Sequence, residues 1–119
     1  MEKVNLLQKL ESFSDHWSPK IVGQLNGQHV KLAKLKGEFI WHQHAKEDEL
    51  FFVIKGLLKI ELRDRTITLH ENEFVVIPKG VEHRPVADVE VSVLLFEPMT
   101  TINTGNVANE LTKTELDII

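Results

Sequence analysis

The stretch FIWHQHAKEDELFFVIKG, residues Phe39–Gly56, sets His42 and His44 two apart in an apolar segment and then places Glu49 at the head of a second apolar run, Leu50–Ile54. In a β-strand, residues i and i+2 share a face, so both imidazoles would point the same way, about 7 Å apart along the chain. Such a pair alone equally describes two surface histidines on a half-exposed strand. Glu49 is more telling, because a carboxylate opening an apolar strand is unfavourable to bury unless it is paired or holds a cation. A third histidine, His83, follows the turn Pro78-Lys79-Gly80 in ENEFVVIPKGVEH, residues 71–83. Three imidazoles and one carboxylate from three strands form a nitrogen and oxygen set suited to a divalent transition ion.

Around these segments the chain is a series of short apolar runs divided by turn chemistry. Lys20–Leu25 and Gln28–Leu35 flank Asn26-Gly27, the dipeptide of a type I′ hairpin. Glu38–His44, Glu49–Lys55, Leu57–Leu62, Thr66–His70, Glu73–Ile77, His83–Val86 and Val89–Phe96 complete the set of expected strands. Strands recurring at intervals of about 8–12 residues predict an all-β sandwich or barrel and not a βαβ fold. Before them, Val4, Leu7 and Leu10 recur at helical spacing, which predicts a short amphipathic helix over Val4–Phe13. After them, Thr100–Ile119 is a polar tail with an apolar end, expected to lie across the barrel or a partner subunit.

The histidine segments resemble the two motifs of the cupin superfamily. His42-x-His44, four residues, Glu49, six residues and Gly56 match the first. Pro78-x-Gly80, two residues and His83 match the second, and fifteen residues separate the motifs, as in compact microbial cupins. Two positions depart from the pattern. Four residues instead of five lie between Gly37 and His42, and Asn72 stands where the second motif has Gly. Asn is tolerant of the left-handed conformation, so a tight turn there is still feasible.

The resemblance implies one cupin domain over residues 1–119, with a barrel core at about 20–97. Its fold would be a double-stranded β-helix, the jelly-roll barrel, with a short N-terminal helix and an extended C-terminal tail. It also implies that His42, His44, Glu49 and His83 line the inside of that barrel and hold one divalent transition metal, whether Fe, Mn, Zn, Ni, Co or Cu. If His42 and His44 face inward, alternation carries Ile40 and Glu38 with them unless a bulge intervenes; inward Glu49 carries Phe51 and Val53. Glu38, Ile40, Phe51 and Val53 are therefore the expected pocket residues, a mostly apolar wall suited to a small-molecule ligand. His16, His29 and His70 lack convergent partners and are assigned surface or capping roles. Arg84, next to His83, is expected to point away from the ion.

Two functions fit. One is a metalloenzyme acting on a small oxygen-bearing metabolite by dioxygenase, isomerase or lyase chemistry; the other is a non-catalytic metal- or metabolite-binding module. The chain has no Tyr, which disfavours chemistries using a tyrosine base, and no Cys, which excludes disulfides, thiolate zinc sites and a cysteine nucleophile. Its 119 residues carry 14 basic and 18 acidic groups, a net charge of −4 that argues against a nucleic-acid surface. No apolar run approaches the roughly 20 residues of a membrane span. The start, Met1-Glu2-Lys3-Val4-Asn5, lacks a secretory pattern, so the expected location is cytoplasmic. Outward Trp41, Phe52 and the helix face Leu6/Leu10 are the surfaces on which a homodimer is expected.

Overall fold

The computed structural model describes all 119 residues, Met1–Ile119. One helix, α1 (Leu6–Glu11), precedes seven strands: β1 (Lys20–Leu25), β2 (Gln28–Glu38), β3 (Glu49–Lys55), β4 (Leu58–Leu62), β5 (Thr66–Leu69), β6 (Phe74–Ile77) and β7 (His83–Pro98). The helix is shorter than its apolar spacing predicts. Asn5 caps it, its Oδ1 accepting from the Gln8 N–H at 3.0 Å, and the Ser12 hydroxyl closes it by donating to the Lys9 carbonyl at 2.6 Å. Leu10 is buried against Val22 and Leu32, so the inner face of the helix packs within the chain.

Two long strands organise the sheet. β7 pairs antiparallel with β2 along nearly its whole length, while its first half also pairs with β4 and its second half with β3. The order β1-β2-β7-β3-β6, with the β4–β5 hairpin attached through β7, wraps the sheet around one interior as a jelly roll does. The expected turn at Asn26-Gly27 joins β1 to β2, and both residues have positive φ, 45° and 75°. Asn72 also takes a positive φ, 68°, as the turn before β6 requires.

Two expected strand boundaries are corrected. His83–Val86 and Val89–Phe96 are one strand, β7, whose exposed residues Asp88–Glu90 bulge outward: Gly37 faces Ala87 while Leu35 faces Val91, so three residues of β7 oppose one of β2. Glu38–His44 is not a strand. β2 ends at Glu38, and His42 touches β7 only through an isolated bridge to His83.

The core is formed by inward residues of β2, β3, β4 and β7, with Val53, Leu58, Ile60, Val91 and Val93 fully buried. This apolar plug extends through Ala33, Leu35, Phe51 and Leu95. No helix is long and apolar enough to cross a membrane.

Candidate metal centre

His42, His44, Glu49 and His83 come together inside the barrel, each offering one ligand atom, with all four atoms within 4.8 Å of one another. Different elements supply them. Glu49 opens β3 opposite Ile77 and points inward, as Phe51 and Val53 do. His83 opens β7. The bridge between the backbones of His83 and His42 (N···O 3.1 and 2.9 Å) brings their rings together, with centroids 4.3 Å apart and planes inclined at 52°. The His44 carbonyl accepts from the Gly80 N–H at 2.8 Å, and Asp48 Oδ1 accepts from the Lys79 N–H at 2.9 Å. Those two bonds tie the Pro78-Lys79-Gly80 turn to the histidine loop, so one short turn positions ligands from both motifs.

Tautomers follow from the hydrogen bonds. His42 Nδ1 lies 2.9 Å from the Ile40 carbonyl and His83 Nδ1 lies 2.9 Å from the Val81 carbonyl. A carbonyl can only accept, so both Nδ1 atoms carry the proton and both Nε2 atoms present a lone pair. His83 Nε2 and His44 Nε2 stand 3.4 and 3.3 Å from Glu49 Oε1. None of these three atoms has a hydrogen-bond partner, although all are buried. Buried acceptors converging on one point are unfavourable by themselves and favourable around a cation. The donor set therefore fits a divalent transition ion, with carbonyls fixing the outer nitrogens of two of the three rings.

The electrostatics agree. Burial, aided by the charge of His83, lowers His42 from 6.5 to about 4, so its ring is neutral and able to ligate at neutral pH. Burial pushes the Glu49 carboxyl up, but a hydrogen bond from Glu97 and the approach of His44 and His83 outweigh it and hold Glu49 well below its ordinary value. Glu97 is displaced in the opposite direction, well upward, by burial and by the neighbouring Glu49 charge. Two carboxyls side by side cannot both ionise readily, so the two titrate as a linked pair.

Next to this centre lies a narrow cavity of about 40 Å³, reached by His42 and Glu49 and walled by Ala33, Leu35, Phe51 and Leu95. Of the four expected pocket residues, Phe51 lines it. Glu38 does not: it is exposed at the end of β2, with its carboxylate 3.2 Å from Arg84 Nη1. Ile40 is half-buried outside the cavity, and Val53 belongs to the apolar plug. The irregularity between Leu35 and Gly37 shifts the alternation, so the residue facing inward ahead of the histidines is Phe39, stacked on Trp17 at 4.7 Å between ring centroids. Arg84 faces away from the centre, its Nε 2.7 Å from Glu61 Oε1. His16 lies 2.8 Å from Glu90.

The sequence reading passed over Lys31 and Glu97, whose side chains are 3% and 2% exposed and meet at 2.7 Å in the cavity wall. Glu97 was legible: it continues the period-2 series Val91, Val93, Leu95 that faces the core. Lys31 was not, because each face of Val30-Lys31-Leu32-Ala33-Lys34-Leu35 carries one lysine and two apolar residues. The tail lies across the barrel. Asn103 and Leu116 line the cavity, Ile118 bridges to Ile21, and Asn106 exchanges hydrogen bonds with the Gln43 backbone at 2.9 and 3.0 Å.

A jelly-roll barrel in which three buried histidines and a glutamate converge defines a class of small β-barrel whose interior could hold a metal ion. Residues 28–97 match the Cupin domain family, and the chain belongs to it. It is 46% identical to a cupin-2 domain containing protein from Shewanella frigidimarina, with a TM-score of 0.79 over 80% of this chain and 93% of that one. It is 34% identical to protein NMB1881 from Neisseria meningitidis, with a TM-score of 0.75 over 82% of this chain and 99% of that one. It is also 37% identical over 81 residues to the Bacillus subtilis protein YdbB, covering 67% of this chain and 72% of YdbB.

Proposed function

We propose that this cupin is a metalloenzyme whose His42, His44, Glu49 and His83 hold one divalent transition ion, and that it acts on a small oxygen-bearing metabolite. The observation that carries this reading is the set of buried, unpartnered lone pairs on His44, Glu49 and His83. Lone pairs so placed are unfavourable in an empty barrel and have a use around an ion. A bound ion supplies Lewis acidity and, if it is redox-active, access to O₂ chemistry. The chain's own residues do the rest. Ile40 and Val81 carbonyls keep His42 and His83 aimed inward, Ala33, Leu35, Phe51 and Leu95 exclude bulk water from one side, and Glu97 lies beside Glu49. Four protein ligands leave coordination positions open on an octahedral ion, which is what a substrate oxygen requires.

Metal analysis of protein purified without a polyhistidine tag tests the reading, followed by ligand thermal-shift screens with and without O₂. Near-stoichiometric metal that is lost in His42→Ala and Glu49→Ala supports it. A site left empty after growth in metal-replete medium would falsify it. Turnover of an identified substrate that survives both substitutions would remove the enzyme assignment while leaving the metal site standing.

A further inference from the structure

The cavity wall beside Glu49 carries a buried Lys–Glu pair that the stability of the barrel does not explain. Lys31 on β2 and Glu97 on β7 both point inward among Ala33, Leu35 and Leu95, and their side chains are almost wholly buried. Replacing such a pair by apolar residues of similar volume is often neutral or stabilising, so its presence in an otherwise apolar wall calls for another cause. The pair is also not self-sufficient. Lys31 Nζ donates to Glu97 Oε1 and has no other hydrogen-bond partner. An ammonium has three protons, so two donors are left unmet beside the cavity that Lys31 lines.

We infer that Lys31 and Glu97 form a second contact point in the pocket, one that orients the ligand by a hydroxyl group and selects a small hydroxylated carboxylic acid. The inference rests on the metal-site reading of the preceding subsection. Charge decides the end of the ligand that meets the ion: three neutral imidazoles, one carboxylate and a divalent cation leave a net +1, which attracts a carboxylate. Hydrogen-bond capacity decides the other end. A hydroxyl oxygen accepts from Lys31 and adds no charge beside Glu49 and Glu97. A second carboxylate would bring a third acidic group beside Glu49 and Glu97. A methyl group would leave the free donors of Lys31 unsatisfied, and a site built around a hydroxyl discriminates against the analogue that lacks it. The cavity of about 40 Å³ restricts the ligand to a few heavy atoms.

The test uses Zn²⁺-loaded protein and isothermal titration with three matched probe pairs: glycolate and acetate, 3-hydroxypropionate and propionate, and 4-hydroxybutyrate and butyrate. Malonate and succinate are added as dicarboxylates. At least one hydroxy acid should bind about tenfold more tightly than its deoxy partner, the value of one charge-assisted hydrogen bond. Lys31→Met, similar in volume to Lys, should bring that ratio to within about threefold, and Lys31→Met/Glu97→Gln is the substitute if the single variant does not fold. No preference in the parent protein, a preference retained in the variant, or tighter binding of a dicarboxylate overturns the inference. Failure of the parent to take up Zn²⁺ is seen in the preceding metal titration. It overturns the metal-site reading itself, and the inference with it.

Discussion

Gly105 in the C-terminal tail lies so close to the Gln43 carbonyl that a Cβ on it would overlap that oxygen and stand 3.2 Å from His42 Cδ2. With a φ of +57°, it is strained for any L side chain as well. Gln43 is the residue between two of the ligands, and Asn106 exchanges hydrogen bonds with its backbone. The tail is thereby a brace of the metal centre and not an appendage. Gly105→Ala should push the brace away from the histidine loop, weakening metal affinity by about 10–100-fold, as loss of a ligand's supporting contacts does elsewhere. Titration with a chromophoric chelator measures this, and an unchanged far-UV circular dichroism spectrum would locate the effect at the site. Full metal affinity in Gly105→Ala would show that the tail does not position His42.

Metal should stabilise the barrel by mass action. Free ion at about 1,000 times its dissociation constant contributes about 4 kcal/mol, provided the unfolded chain does not bind it. Calorimetry should show a melting temperature several degrees higher with metal than with chelator. His44→Ala should melt at one temperature under both conditions, because it loses a ligand whose Nε2 stands 3.3 Å from Glu49. A chelator-insensitive melting temperature in the parent protein would contradict the prediction.

The metal-free form should lose stability in mild acid through His42. Its pKa is about 4 in the folded chain against an ordinary 6.5, so between these values the unfolded state binds more protons than the native state. Stability is then fully present above pH 6.5, falls as the pH drops through that window, and levels off below about 4. The loss attributable to this ring is on the order of 3 kcal/mol. Urea denaturation of chelator-treated protein at stepped pH, compared with His42→Gln, isolates the contribution. The variant should show a shallower decline over that interval.

The convergence of the four side chains was legible because their spacing is fixed by local geometry, whereas the pocket is fixed by pairings far apart in sequence. His42, His44 and Glu49 lie within eight residues, and a turn of definite chemistry precedes His83. The wall depends on the irregularity between Leu35 and Gly37, which exchanges Glu38 and Ile40 for Phe39 as the inward residue. No local signal marks it, because its cause is the outward bulge of Asp88–Glu90 on the paired strand β7. The Lys31–Glu97 contact likewise joins residues 66 apart in sequence. Its carboxylate could be read from the alternation of β7; its lysine could not, since each face of β2 there carries one lysine and two apolar residues.

Trp17 and Trp41, the two tryptophans, report on different places, and this gives an optical assay for the site. Trp17 stacks on Phe39, and Phe39 packs edge-on against His42 with ring centroids 5.4 Å apart. Trp41 lies instead under the Arg63 guanidinium, 3.9 Å from its ring centroid, and within reach of Arg84. A paramagnetic ion such as Cu²⁺ quenches an indole at short range, so binding should reduce emission chiefly from Trp17, which lines the cavity with His42 and Glu49 while the Trp41 ring lies outside it. Stoichiometric Cu²⁺ should therefore quench Trp41→Phe protein, in which Trp17 alone emits, more strongly than Trp17→Phe protein. Equal quenching of the two variants, or quenching that persists after Glu49→Gln and His83→Gln together, would place the ion somewhere other than this centre.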